Sequence, residues 1–174
     1  DYKACLPKTA WPPTFYLTTN RALAALYIWD KRFKWMNYGI EQDGIPIYTE
    51  SFPRALSVFY KGLSGCIYTC RGEYPQNGTG ISSVFVSENP VPVESSEYIG
   101  DAWEELLRLE KAGALRIQRY ETLSQKRLEL EKRMILQEIQ KENLLQHPEL
   151  PLSQFIRERF PSLWQKAETV GESH

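Results

Sequence analysis

A chain of 174 residues, 42% hydrophobic and 13% aromatic, can bury about two-thirds of its unfolded surface, so one folded core is expected rather than disorder. Its 21 basic and 22 acidic residues leave a net charge of −1, which argues against a domain built to neutralise nucleic-acid phosphates. No apolar run approaches the roughly 20 residues of a membrane span and no signal-like segment opens the chain, so a soluble protein is expected, and reduced thiols point to a cytoplasmic one.

The first element is the run Phe15-Tyr16-Leu17-Thr18-Thr19-Asn20, a short strand breaking through a polar turn into the apolar helix that begins at Arg21 and reaches Ile28. Such a junction gathers hydroxyls and the unpaired N–H groups of a first helical turn, which can donate to an anionic or carboxamide ligand. Next come two β-rich runs, 34–41 and 45–50, separated by Gln42-Asp43-Gly44. Asp-Gly between such runs predicts a hairpin, because a tight turn matched to strand twist needs positive φ. Pro46 has no N–H for a central ladder, so the second strand is expected at an edge.

A helix over 53–61 is predicted from Pro53 near its start and Gly62 past its end, with Leu56, Phe59 and Tyr60 at helical spacing. Strands follow at 66–70, 83–86 and 90–93, separated by Gly/Asn/Pro turns. Asp101 to Ala112 reads as a helix with acidic first turns, Trp103, Leu106 and Leu107 on one face, and Gly113 as its stop. Residues 115–120 return as a strand.

The rest of the chain is rich in Leu, Glu, Lys, Arg and Gln. Thr122-Leu123-Ser124-Gln125 has capping-box form and opens a long helix reaching Gln146. Leu128, Ile135 and Ile139 form one stripe of that helix, and Leu123, Leu130, Met134 and Leu145 form a second nearly opposite it. A helix apolar on two sides needs two partners, expected to be the sheet and a terminal segment over 152–164. The predicted class is therefore α+β, with a mixed, mostly antiparallel, curved or split sheet. Residues 1–121 form the α+β domain, and 122–174 form a helical C-terminal extension packed on it.

Three cysteines, Cys5, Cys66 and Cys70, make no disulfide framework. Four residues along a strand span roughly 13 Å, beyond the reach of one bridge between Cys66 and Cys70. No metal site is expected, because His147 and His174 are the only histidines and both lie far along the chain. Buried reduced thiols are expected, and Asn77-Gly78-Thr79 is read as an accidental glycosylation sequon.

The phosphate-loop, dinucleotide-glycine and metal-helix motifs are all absent. Neither histidine is placed for catalysis. Glu94, Glu97 and Asp101 cluster near the strand ending at Val93 and could supply one acid or base. Residues so placed more often cap the helix that follows.

Phe15-Tyr16-Leu17-Thr18-Thr19-Asn20, followed by an Ala-rich helix ending in Tyr27, resembles the second motif of ADP-ribosyltransferase-like domains, as in uncharacterised bacterial members with an FYLTT strand. The likeness covers about 15 residues specifically, and the Tyr68-Thr69-Cys70, Val84-Phe85-Val86 and Glu97-Tyr98-Ile99 segments by order of elements. It implies NAD as cofactor, with Tyr16, Thr18, Thr19 and Tyr27 lining a nicotinamide pocket. The family's third motif supplies a Glu that polarises the ribose, for which Glu94, Glu97 and Glu121 are all candidates here. Its first motif, an upstream Arg or His, has no match before Phe15. The chain begins at Asp1 without methionine, so that motif is expected either upstream or lost.

Independently of the resemblance, a flat apolar nicotinamide stacks on aromatic rings while its carboxamide needs a few donors and acceptors. The leading expectation is an NAD-binding ADP-ribosyltransferase-like domain, active or catalytically degenerate. The alternative is a non-enzymatic interaction module of bacterial or phage origin, holding a protein partner or a second copy through helix 124–146. A nucleic-acid stacking surface ranks third, for want of excess positive charge.

Overall fold

The computed structural model describes residues 15–29, 32–33, 35, 37–76 and 83–171. Cys5, His174 and the sequon at Asn77 lie outside them. The chain divides into two compact units, Asp1–Asp30 with Met36–Gln118, and Lys31–Trp35 with Arg119–His174.

The first unit is α+β. Its elements run β1 (Phe15–Thr18), α1 (Arg21–Leu26), β2 (Tyr38–Ile40), β3 (Pro46–Thr49), α2 (Ala55–Tyr60), β4 (Gly65–Cys70), β5 (Val84–Ser87), β6 (Val93–Ile99), α3 (Ala102–Lys111) and β7 (Arg116–Gln118). The strands form three separate sheets, β1-β5, β2-β3-β7 and β4-β6. All their pairings are antiparallel except that of β3 with β7.

The predicted hairpin joins β2 to β3, and Gly44 turns it at φ +80°, a conformation that glycine adopts without Cβ strain. The edge expected for Pro46 is not found, since β3 is the central strand of its sheet. Pro46 is the first residue of β3 and pairs only with Ile40, while the ladder to β7 begins at Ile47 opposite Arg116. Its missing N–H therefore falls outside the second ladder.

The strand expected over 90–93 lies instead at Val93–Ile99. Glu94 and Glu97 are thus strand residues, Glu94 at the bulge of the β4-β6 ladder, and not a pre-helix cluster. Antiparallel pairing with β4 imposes the extended form on a polar segment that has little β propensity of its own.

Three helices meet over Tyr48 to make the core of this unit. Leu23 and Leu26 of α1, Leu56 and Tyr60 of α2, and Leu106 and Leu109 of α3 are all buried. The buried face of α3 is Ala102, Glu105, Leu106 and Leu109, whereas Trp103 and Leu107 are half-buried. Asp101 Oδ1 caps α3 through the N–H groups of Trp103 and Glu104, and Gly113 ends it at φ +72°. The Tyr60 hydroxyl donates to Leu26 O at 2.9 Å, and burial holds its pKa well above the usual phenol value. The thiols depart from expectation, with Cys66 exposed and Cys70 half-buried. Cys66 pairs across the β4-β6 ribbon with Tyr98, itself 69% exposed.

The second unit is helical, with α4 (Gln125–Lys141), α5 (Pro151–Arg159) and α6 (Pro161–Gly171). Ser124 Oγ accepts the Arg127 N–H, so Ser124 caps α4, while the Thr122 hydroxyl bonds back to Arg119 O. The helix stops short of Gln146 at Lys141, and Asn143 at φ +51° turns the chain into a short 3-10 segment at Leu144–Gln146. Ile135 and Ile139 are buried with Leu144, Ile156, Trp164 and Ala167, so the stripe containing them faces the core of this unit. The second stripe is divided: Leu145 packs on the same core, Leu123 and Leu130 are half-buried, and Met134 is 43% exposed. Trp35 joins this unit from far upstream, stacking on Phe160 with ring centroids 5.9 Å apart. Ser153, fully buried, donates to the carbonyls of Leu144 and His147, which also accept the N–H groups of His147 and Leu150.

Among the described residues no helix is long and apolar enough to cross a membrane.

Candidate functional site

The strand-to-helix junction folds as a sequence of local hydrogen bonds. Thr18 Oγ1 accepts the Asn20 N–H at 3.0 Å, and Asn20 Oδ1 accepts from Ala22 and Leu23, closing the first turn of α1. The Asn20 amide also reaches Gly44 O at 3.4 Å, tying the junction to the β2-β3 turn. Thr19 is exposed, and its N–H donates to Ser83 O at 3.2 Å. Beside it, Ser83 Oγ is buried and has no hydrogen-bond partner.

The two tyrosines stand differently. Tyr16 on β1 is 50% exposed, with Val86 opposite it on β5. Tyr27 caps the far end of α1, is 39% exposed, and shares a 3.0 Å hydroxyl contact with Tyr38. Seven residues of helical rise separate Tyr27 from Asn20 by about 10 Å. Thr18 and Thr19 therefore sit at one end of α1 and Tyr27 at the other.

The three candidate acids are separated by the fold. Glu94 pairs with the exposed Arg71 at 2.9 Å. Glu121 lies in the single turn Tyr120–Thr122 and belongs to the second unit. Glu97 is brought to the junction, where Arg21, the first residue of α1, grips its carboxylate with Nη1 to Oε2 at 2.7 Å and Nη2 to Oε1 at 2.8 Å.

Arg21 also donates through Nε to Glu105 Oε1 at 2.9 Å, and Glu105 is held in turn by Arg108 at 2.7 and 2.8 Å. The result is a chain of alternating charge running Arg108, Glu105, Arg21, Glu97, from α3 through α1 to β6. The hydrogen bonds from Arg21 hold the Glu97 carboxyl below the ordinary range. Glu105, 9% exposed, is lowered first by Arg108 and then by Arg21, against its burial. Hydrogen bonds to Glu97 and Glu105 raise Arg21.

Both carboxylates titrate lower folded than unfolded, so their stabilisation is complete above the ordinary value of 4.5 and is lost as pH falls through the folded values. Acid titration of thermal stability should accordingly show a decline below that pH which Arg21→Gln flattens. Equal acid slopes in the two proteins would leave the network without energetic weight.

A second cluster lies in an open cleft of about 470 Å³ lined by Ile40, Glu41, Gln42, Asp43 and Arg116. Arg116 pairs with Glu41 and bonds Asp43 at 2.6 and 3.1 Å, which lowers the Asp43 carboxyl. One guanidinium bridges two carboxylates, so the cluster holds the hairpin turn against β7. Among the described residues no group of three or more His, Cys, Asp or Glu side chains is placed to hold a metal ion.

Arg21 and Ser83 were not legible as site residues. Arg21 meets partners 76 and 84 residues away, and its only local sign is a cation in the first turn of a helix, where the dipole disfavours one. No family model, no curated protein and no solved structure matches the chain.

Proposed function

We propose that the first unit is an NAD-binding, ADP-ribosyltransferase-like domain whose ribose-directed carboxylate is Glu97. The observation that carries this reading is the two-point grip of Arg21 on Glu97, which joins one acid of β6 to the turn bearing Thr18 and Thr19. Each Glu97 oxygen accepts one bond from Arg21 and keeps a second lone pair for a ribose hydroxyl. At 56% side-chain exposure the carboxylate is open to a ligand.

The exposed rings of Tyr16 and Tyr27 offer faces for an aromatic base, and the exposed Thr19 hydroxyl offers a polar partner to a carboxamide. NAD would supply a glycosidic bond whose cleavage leaves the electron pair on nicotinamide. Glu97, held ionised, would stabilise the positive charge that develops on the ribose. The exposed thiol of Cys66 fits a reducing compartment.

The test is calorimetric titration of the full chain with NAD, together with chromatographic detection of released nicotinamide. Binding should be measurable and lost in Tyr27→Ala, and Glu97→Gln should lower turnover about 100-fold. Absence of heat at millimolar NAD rejects the reading. The alternative, a partner-holding module, draws on Met134, exposed on α4 on the opposite side from the buried Ile135 and Ile139.

A further inference from the structure

We infer that Arg21 is the positioning residue of the site, fixing the place and charge of Glu97, and that Glu105 with Arg108 fixes Arg21. The inference deepens the proposed function and rests on it for its kinetic arm.

Local sequence gives Arg21 no reason to be where it is. It opens α1 directly after the Asn20 cap, where the positive end of the helix dipole disfavours a cation. A locally unfavourable choice retained in a folded chain points to a tertiary role. Two carboxylates supply it.

Glu105 is nearly buried, and a buried carboxylate must be paired. Its partners are the Arg21 Nε and the fork of Arg108. With Nε committed to Glu105, the guanidinium plane is set, and the two remaining Nη atoms face Glu97 as a matched pair. Glu97 sits on a strand whose side chains are otherwise exposed up to Ile99. Its carboxylate therefore takes its orientation from Arg21. The charged groups around Glu97 are Arg21 on α1 and Glu105 and Arg108 on α3.

A structural ion pair and a positioning clamp differ in what lysine can replace. A lysine at this position keeps the cation but presents a point charge, and cannot hold Glu105 and both Glu97 oxygens in one plane. An ion pair that serves only stability tolerates that exchange.

The experiment uses the full chain carrying carbon-13 in its glutamate carboxyls, with the Glu97 signal assigned through Glu97→Gln. Arg21→Gln should move the Glu97 titration upward toward the ordinary carboxylate range. It should also lower kcat for NAD about 100-fold with KM little changed, because misplacing a catalytic group weakens the transition state and not ground-state binding. Arg21→Lys should keep the thermal stability and still lose kcat about tenfold. Glu105→Gln, which leaves the Arg21–Glu97 pair intact but unanchored, should broaden the Glu97 signal and lower kcat less than Arg21→Gln does.

An unmoved Glu97 titration in Arg21→Gln, or wild-type kcat in Arg21→Lys, overturns the inference. If the unmodified protein neither binds nor cleaves NAD, the proposed function fails. The carboxyl titration then decides alone whether Arg21 sets the state of Glu97.

Discussion

Replacing Ile139 by glutamate is expected to unfold the helical unit, with loss of most of its circular-dichroism signal. Ile139 is 1% exposed and packs among Ile135, Leu144, Ile156 and Trp164. A carboxylate there loses the apolar contacts of the isoleucine and gains no described cationic partner in that cluster. The penalty is about 4 kcal/mol or more, enough to exhaust the stability of a small unit. Met134→Glu, on the exposed side of the same helix, should leave helicity unchanged, since glutamate is a good helix former. If that side is held by a partner protein or a second copy, Met134→Glu will dissociate the assembly in sedimentation while the fold survives. A folded Ile139→Glu protein would show that the packing of α4 is not as described.

Leu106→Ala should remove about 3 kcal/mol from the first unit, measured as a shift of the urea midpoint at constant slope. Leu106 is fully buried on α3 beside Leu109 and Ala102, at the meeting of α1, α2 and α3. Truncation leaves a void that three packed helices cannot close without moving together. Val58→Ala, on the exposed side of α2, should change stability by no more than about 0.5 kcal/mol. Equal effects at the two positions would remove the basis for placing the core at this junction.

Acid dependence and the Arg21 variants address the same residues by a different route. A protein that behaves as expected at Ile139 and Leu106 but not at Arg21 keeps its fold and loses its proposed site.

The sequence was most legible where structure depends on neighbours within one turn. Asp-Gly with its positive φ, Asp101 and Gly113 around α3, and Ser124 before α4 all act within four residues. Legibility failed wherever a distant partner decided the outcome. Polar residues 94–98 became a strand because β4 lies beside them. Pro46 entered a central strand because the parallel ladder to β7 begins one residue later.

Cys66 turned out exposed opposite the exposed Tyr98, a cross-strand neighbour that alternation within one strand cannot reveal. The candidate acids Glu94, Glu97 and Glu121 were equivalent in sequence. One now faces Arg71, one faces Arg21, and one lies in the other unit.

By itself, then, the amino-acid order determined the α+β class, the caps at Asp101, Gly113 and Ser124, the β2-β3 hairpin and the strand-turn-helix junction, because propensity, periodicity and capping are read over a few residues. The tertiary structure alone decided which strands pair beyond the β2-β3 hairpin, that Trp35 joins a cluster more than 100 residues downstream, and that Arg21 grips Glu97. Those choices rest on contacts between residues distant in sequence, 76 apart for Arg21 and Glu97, whose energies exist only after the chain has closed the loops between them.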